Sequence, residues 1–465
     1  MARALLISTY DLGRQPFGLA SPAAWLREAG VEVTCADLAK ERLPQDAVRA
    51  ATLIAFFLPM HTATRLALPV IDRVRALNPS ATLVAYGLYA PLNEQLLGER
   101  GIQVVLGGEF EGDLVELVNT RRVTRVPSSA RSRAGATSAT NHPSGKAEPR
   151  SIPRLSFRIP LRDMLPPLEQ YASLQVGDER RIAGYTEASR GCKHRCRHCP
   201  IVPVYDGRFR VVSPDVVIAD ARAQVAAGAR HITFGDPDFF NGIKHAREVV
   251  ERFARECPGV SYDVTIKVEH LLRHADHLPL LRETGCALVT SAVESIDDRV
   301  LALLDKGHTR ADFERAVALC RAAGLTLSPT FVAFTPWTTL ESVLEWLREI
   351  DRLDLVDHVA PIQYAIRLLV PEGSRMLELD EMRPVLGPFD PVTLTYRWTH
   401  PDPRVDALQE RLARLVGVTL SASRRNVFDQ VWHDAHAAAG RPTPERTHPL
   451  IDRSTVPYLN EPWYC

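Results

Sequence analysis

Three cysteines fall within eight residues in the stretch "RGCKHRCRHCP", which runs from Arg190 to Pro200. Cys192, Cys196 and Cys199 have the spacing C-x3-C-x2-C, with no fourth cysteine beside them. Thiolates bind soft or borderline metals, so the first chemistry to weigh is a metal centre. A structural zinc site is usually closed by four ligands from paired motifs such as C-x2-C, and no second pair lies downstream. His194 and His198 lie inside the motif, but a Cys3His site made from them would strain so short a loop. A four-iron four-sulfur cluster on three cysteines leaves one iron open to a substrate or cofactor. Such a site needs thiols that converge from a loop at the active face, and this loop directly follows a strand-like run. A closed metal site for electron transfer and a structural zinc site remain the rival readings of the same residues.

The other cysteines are Cys35, Cys257, Cys286, Cys320 and the last residue, Cys465. The first four are isolated and read as small buried hydrophobes. At 465 residues the chain suggests two or three domains. Its 45% apolar and 24% charged residues are those of a soluble globular protein with a substantial core. Lys+Arg and Asp+Glu both number 56, so net charge points to neither a nucleic-acid nor a membrane partner. No apolar run approaches the ~18 residues of a membrane span, and "MARALLISTYDLGRQ" reads as a first strand rather than a signal peptide. The expected compartment is the reducing cytoplasm, where clustered cysteines more often hold a metal than form disulfides.

The elements that must position the cysteines form an α/β pattern. Over residues 1–119 the runs "ALLIST", "VEVTCADL", "ATLIAFFL", "ATLVAYG" and "IQVVLGG" read as strands with helical patterns between them. This alternation predicts a Rossmann-like parallel sheet of flavodoxin-like order, with any ligand at the carboxyl ends of its strands. Residues 120–152, rich in Ser, Ala, Pro, Gly and Arg, read as a flexible linker. Residues 153–398 show about six further β-α units, from "GYTEASRGC" through "HITFGDPDF", "SYDVTIKVE", "CALVTSAVES" and "LTLSPTFVAFTP" to "HVAPIQYAIRLLVP". Six units predict a partial (β/α)6 TIM-type barrel with its site at the C-terminal strand ends. Residues 399–465 read as a helical C-terminal region and tail.

With these motifs in place, the chain resembles the radical S-adenosylmethionine (radical SAM) superfamily over about residues 180–375. The resemblance implies that Cys192, Cys196 and Cys199 ligate a 4Fe-4S cluster whose open iron chelates the amino and carboxylate groups of S-adenosylmethionine. It implies reductive cleavage of the sulfonium to a 5′-deoxyadenosyl radical, and an electron donor of flavodoxin or ferredoxin type. "GDPDF" resembles the segment that contacts the cofactor's amino group, with Asp236 and Asp238 as acceptors, although the commoner form there is Gly-Gly-Glu. "SAVES" resembles the family's "GvES", which places Glu294 and Ser295 at the ribose or methionine part. "LLDKGHT" follows it as in several members, and taken alone is a helix end with a Lys-Gly cap. Arg367 is a bidentate partner for the cofactor carboxylate, and His198 stands where an aromatic residue often lies near the adenine. Lys267 and Glu269, on the strand read from "TIKVEH", are pocket candidates for catalysis. The small-molecule or peptide substrate is not specified by these residues.

The first domain resembles the cobalamin-binding domain that precedes many radical SAM barrels, most closely at "GGEFEGDLVEL". The Asp-x-His-x-x-Gly motif of base-off, His-on cobalamin proteins is missing, and the sheet region's only histidine is His61. Two readings follow: cobalamin bound without a protein axial ligand, or a domain kept as a scaffold. Bound cobalamin would make methyl transfer the leading reaction. The end, "VPYLNEPWYC", is similar to a subgroup whose tails finish with Cys, then Cys or selenocysteine, then Ala-Glu-Pro. That similarity implies a tail thiol, Cys465, able to reach an active site, and a chain cut where a UGA codon is read as stop.

Overall fold

The computed structural model describes residues 2–120, 155–418, 423–446 and 456–460. Most of the linker expected over 120–152 lies outside the described residues, as does Cys465. The chain divides into two compact units: Met1–Thr9 with Gly18–Leu155, and Tyr10–Phe17 with Ser156–Cys465.

The first unit holds five strands: β1 (Arg3–Ser8), β2 (Glu32–Asp37), β3 (Leu53–Phe57), β4 (Thr82–Tyr86) and β5 (Val104–Leu106). Their order is β2-β1-β3-β4-β5 and every pairing is parallel. This is the flavodoxin-like order read from the sequence. Leu5, Leu6 and Ile7 of β1 and Ile54, Ala55 and Phe56 of β3 are buried. Strands covered on both faces read as continuous apolar runs, which is why they were visible in the chain.

The second unit begins with a hairpin, β6 (Ser173–Val176) and β7 (Glu179–Thr186), and a short antiparallel pair, β8 (Ser189–Gly191) and β9 (Phe209–Val211). It continues with β10 (His231–Phe234), β11 (Ser261–Thr265), β12 (Cys286–Glu294) and β13 (Leu327–Phe331). A second antiparallel pair, β14 (Leu386–Asp390) and β15 (Thr395–Trp398), and a two-residue strand, β16 (Tyr458–Leu459), complete it. The main sheet runs β13-β12-β11-β10-β7-β6-β16. Its β7, β10, β11, β12 and β13 are parallel; helices such as Pro214–Ala226, Ile243–Glu256 and Arg310–Ala322 connect them, and Leu340–Arg352 follows β13. Capping residues punctuate the chain: Thr309 and Thr339 close capping boxes at their helix starts.

The open, partial barrel is therefore present, but its sixth strand is reduced to one rung. "HVAPIQYAIRLLVP" gives a 3-10 turn at Pro361–Tyr364 and a single parallel bridge between Phe334 and Arg367. Pro361 supplies no ladder N–H, and Gln363 turns inward so that Phe331 N donates to its side chain at 2.8 Å. Between sheet and helices lies one apolar core, with Phe234, Phe253 and Tyr262 stacked edge to face. The helices Pro403–Val418 and Arg424–Ala438 join the same core through Leu408, Leu412, Phe428 and Val431.

Candidate cluster and cofactor site

The cysteine loop leaves β8 through Gly191, which sits at φ +76°. A Cβ there would meet the Arg208 carbonyl oxygen at 2.4 Å, so only glycine fits. The arginines between the cysteines hold the loop in place. Arg197 N donates to Leu304 O at 2.9 Å, and its guanidinium donates to the carbonyls of Ala302 and Leu303 at 3.1 and 2.8 Å. Those carbonyls close the helix Asp298–Leu303, whose negative end suits a cation. Arg375 donates to Arg195 O at 2.8 Å, and Lys193 N donates to Asn241 Oδ1 at 3.2 Å.

Cys192, Cys196 and Cys199 are all free thiols. Burial pushes the Cys199 thiol up to about 12, and the neighbouring Cys196 and Cys192 add to the rise. Burial also raises Cys192, with the Asp238 charge adding to it. Three free soft sulfur donors on one loop are a donor set that fits an iron–sulfur cluster, and a cation bound there would stabilise them as thiolates against their raised ionisation. Neither loop histidine is turned to close a four-donor set with the thiols. His198 Nε2 lies 3.1 Å from Glu294 Oε1, and His194 Nε2 lies 3.4 Å from Asp238 Oδ2.

Glu294 ends β12 at φ +69°, where the ladder with β13 shifts register. A non-glycine residue in that region and a bulge together re-aim its carboxylate. It meets His198 and the ammonium of Lys306, whose Nζ is 3.3 Å from Glu294 Oε1. Burial alone would raise Glu294, but Lys306 and His198 bring it down to about 2. Burial opposes the Lys306 charge in turn, and Glu294, Cys196 and Cys199 more than restore it. Ser295 Oγ accepts from Asp297 N at 3.0 Å and retains its own proton to donate. His308 follows at Val293 O, 3.2 Å from Nε2, and burial beside Lys306 and Lys267 lowers it to about 4.

Asp236 faces the base of the loop. Its carboxylate accepts from Ala188 N at 2.9 Å and from the Ser189 hydroxyl, and burial raises it to about 7 against these bonds. It braces the backbone entering the cysteine loop. Asp238 is turned instead to two imidazoles, with His270 Nδ1 at 2.7 Å from its Oδ2. Arg367 is committed elsewhere: it donates to Asp406 and to Trp398 O, both at 2.6 Å, and lies 3.5 Å over the Trp398 ring. These bonds pin the C-terminal helices and take up the fork that a bidentate cofactor contact would need. Lys267 and Glu269 are not on a strand, since β11 ends at Thr265. Lys267 is the N-cap of the helix Val268–Arg273 and Glu269 lies in its first turn. Lys267 Nζ lies 3.0 Å from His194 Nδ1 and 3.4 Å from Glu269 Oε2.

A family model described as the radical SAM superfamily matches residues 186–359, from the end of β7 to beyond the helix Leu340–Arg352. The chain carries a radical SAM domain. The chain is 27% identical, over 263 residues, to a hopanoid C-3 methylase of Methylococcus capsulatus; the match covers 55% of this chain and 48% of that relative. This chain thus spans about half the length of that relative. Two solved structures share the fold. The cobalamin-dependent S-adenosylmethionine radical enzyme OxsB, with aqua-cobalamin bound, aligns at a TM-score of 0.68 and 14% identity, covering 94% of this chain and 72% of that one. The radical S-adenosylmethionine methyltransferase TsrM from Kitasatospora setae aligns at 0.61 and 19%, covering 81% and 76%. At these identities the likeness is one of fold.

Three functional-site residues escape a reading of the sequence. Lys306 looks like part of a helix cap, His270 like an ordinary helix residue, and Asn241 like a turn residue. Each reaches the site by tertiary packing from a position remote from the cysteines.

Proposed function

We propose that the chain is a radical SAM enzyme in which Cys192, Cys196 and Cys199 hold a 4Fe-4S cluster. When bound, the cluster supplies the electron that breaks the sulfonium bond of S-adenosylmethionine. The chain's own residues do the rest. The arginine-pinned loop fixes the thiols, and Asp236 holds the strand that launches it. Glu294, kept ionised, accepts from the ribose hydroxyls, Ser295 donates beside it, and His198 flanks the adenine. The single observation that carries this reading is three neighbouring free thiols, one buried and two half-buried, two of them beside the Lys306–Glu294 pair, within a radical SAM domain.

The first unit is proposed to bind cobalamin without a protein axial ligand, which makes methyl transfer the leading reaction. Support comes from its sheet order and from the aqua-cobalamin named for OxsB. His61, at the start of the helix His61–Leu77, lacks the sequence context of a cobalt ligand. The division into 1–119, 120–152, 153–398 and 399–465 belongs to the same proposal, as does a small electron-transfer protein as donor. No described helix is long and apolar enough to cross a membrane.

Anaerobic reconstitution tests the whole. Iron, labile sulfide and cobalt are quantified together, and 5′-deoxyadenosine is measured under reduction. A cluster with 5′-deoxyadenosine formation, abolished in Cys196→Ala, is expected. A protein that binds iron but never cleaves S-adenosylmethionine would instead be a closed electron-transfer site.

A further inference from the structure

His194, Asp238 and His270 come from three separate segments: the cysteine loop, the loop after β10 and the helix Val268–Arg273. Their ligating atoms lie within 4.8 Å of one another. His270 Nδ1 is 2.7 Å and His194 Nε2 is 3.4 Å from Asp238 Oδ2. The side chains are 4%, 15% and 2% exposed for His270, His194 and Asp238. The two imidazoles hold the Asp238 carboxylate below its ordinary range against its burial, yet none of the three atoms makes an aligned hydrogen bond. Their bonding directions miss one another. Buried polar atoms held only in poorly aligned contacts are costly, and here three of them face one small space.

We propose that these three residues form a second metal site, for a divalent transition ion such as Zn2+ or Fe2+, separate from the cysteine site. Two imidazoles and one carboxylate are a suitable donor set for either ion. Around an ion with bonds of about 2.0–2.2 Å, neighbouring ligand atoms lie roughly 2.9–3.4 Å apart; both imidazole–Asp238 separations are already close to that spacing, and the two imidazole nitrogens, within 4.8 Å of each other, would draw together around an ion. Asp238 Oδ1 is already anchored by Phe240 N at 3.3 Å and Lys267 N at 3.4 Å, which leaves Oδ2 for the ion. Glu269 Oε2, 3.6 Å from His194 Nδ1, is placed to accept a hydrogen bond from that ring's other N–H once Nε2 is ligated. Lys267 also reaches this Nδ1, and on metal binding its ammonium would turn to Glu269, 3.4 Å away. Three protein ligands leave open positions for water or a substrate oxygen or nitrogen. The site needs no cluster for its assembly.

Metal counting tests this on the full-length protein. The reconstituted protein is incubated with excess Zn2+ and desalted, and zinc, iron and labile sulfide are measured together. One zinc beyond the iron–sulfide complement is expected. Asp238→Asn and His270→Gln should each lower retained zinc at least tenfold and leave iron and sulfide unchanged. The triple variant Cys192→Ala/Cys196→Ala/Cys199→Ala should lose iron and sulfide and keep the zinc. Co2+ in place of Zn2+ should give ligand-field bands without thiolate-to-metal charge transfer. Zinc that is absent from the wild type, or lost with the cysteines, or a cobalt spectrum with a thiolate band, would overturn the site. If His270→Gln fails to fold by circular dichroism, His194→Ala in the loop carries the same expectation. Loss of sulfide with zinc retained would sink the cluster reading and leave this one standing.

Discussion

Lys306 Nζ lies 3.3 Å from Glu294 Oε1, with the two side chains only 4% and 10% exposed. The pair sits beside Cys196 and Cys199, which also act on the Lys306 charge. Breaking a buried pair leaves one charge without compensation, a loss of about 3 kcal/mol or more. Lys306→Met should therefore destabilise the protein by that order in urea denaturation, and Lys306→Met with Glu294→Gln should recover part of the loss. The single variant should also lower the cluster's reduction potential, because a nearby positive charge favours the added electron. An unchanged potential in a redox titration followed by electron paramagnetic resonance would remove Lys306 from the cluster's surroundings.

His308 sets an acid limit. Its imidazole is held at about 4 against an ordinary 6.5. Between those values the unfolded chain binds the proton that the folded chain refuses. The neutral ring's contribution is complete above pH 6.5 and is lost as pH falls toward 4. Glu294, at about 2 against 4.5, adds a second loss from pH 4.5 downward. His308→Gln should flatten the stability profile between pH 6.5 and 4 and leave the lower limb in place. A variant profile parallel to the wild type across the upper window would refute the assignment.

Gly191→Ala should disturb the cysteine loop at its root. The new methyl meets the Arg208 carbonyl and the Tyr205 ring, each at 2.4 Å, at a backbone angle that alanine avoids. The expected cost is about 2 kcal/mol or more, with iron and sulfide content falling together. Full cluster content in a folded Gly191→Ala protein would show that the loop tolerates displacement.

Arg367→Ala separates a pin from a cofactor contact. Its guanidinium bonds Asp406 and Trp398 O and stacks on the Trp398 ring. Loss of these contacts should cost about 2 kcal/mol and leave the affinity for S-adenosylmethionine within about twofold of wild type. A KM for S-adenosylmethionine that rises tenfold or more at unchanged stability would return Arg367 to the cofactor.

Much of this was legible because local pattern and final fold agree. The apolar runs of β1, β3 and β4 are buried on both faces, so hydrophobicity alone marks them, and the short β-α spacing gives their order. The cysteines announce themselves by spacing. Lys267 and Glu269 were misplaced because "TIKVEH" has strand-like residues, while the packing of Val268 and Leu271 into the core turns it into a helix. The sixth strand failed for a comparable reason, as Pro361 and the buried Gln363 favour a turn. Arg367 drew attention as a cation in the right segment, but Asp406 and Trp398, some thirty to forty residues later, decide its partner. Lys306 and His270 are invisible for the same reason: their significance arises only where distant segments meet.

The two-residue strand β16 lies antiparallel on β6, and Asn460 N donates to Ser173 O at 2.8 Å. β6 would otherwise be the outermost strand, offering bare amides and carbonyls to any passing chain. The last described segment thus seals a margin that could template self-association, and trimming the protein before residue 456 would leave that margin bare.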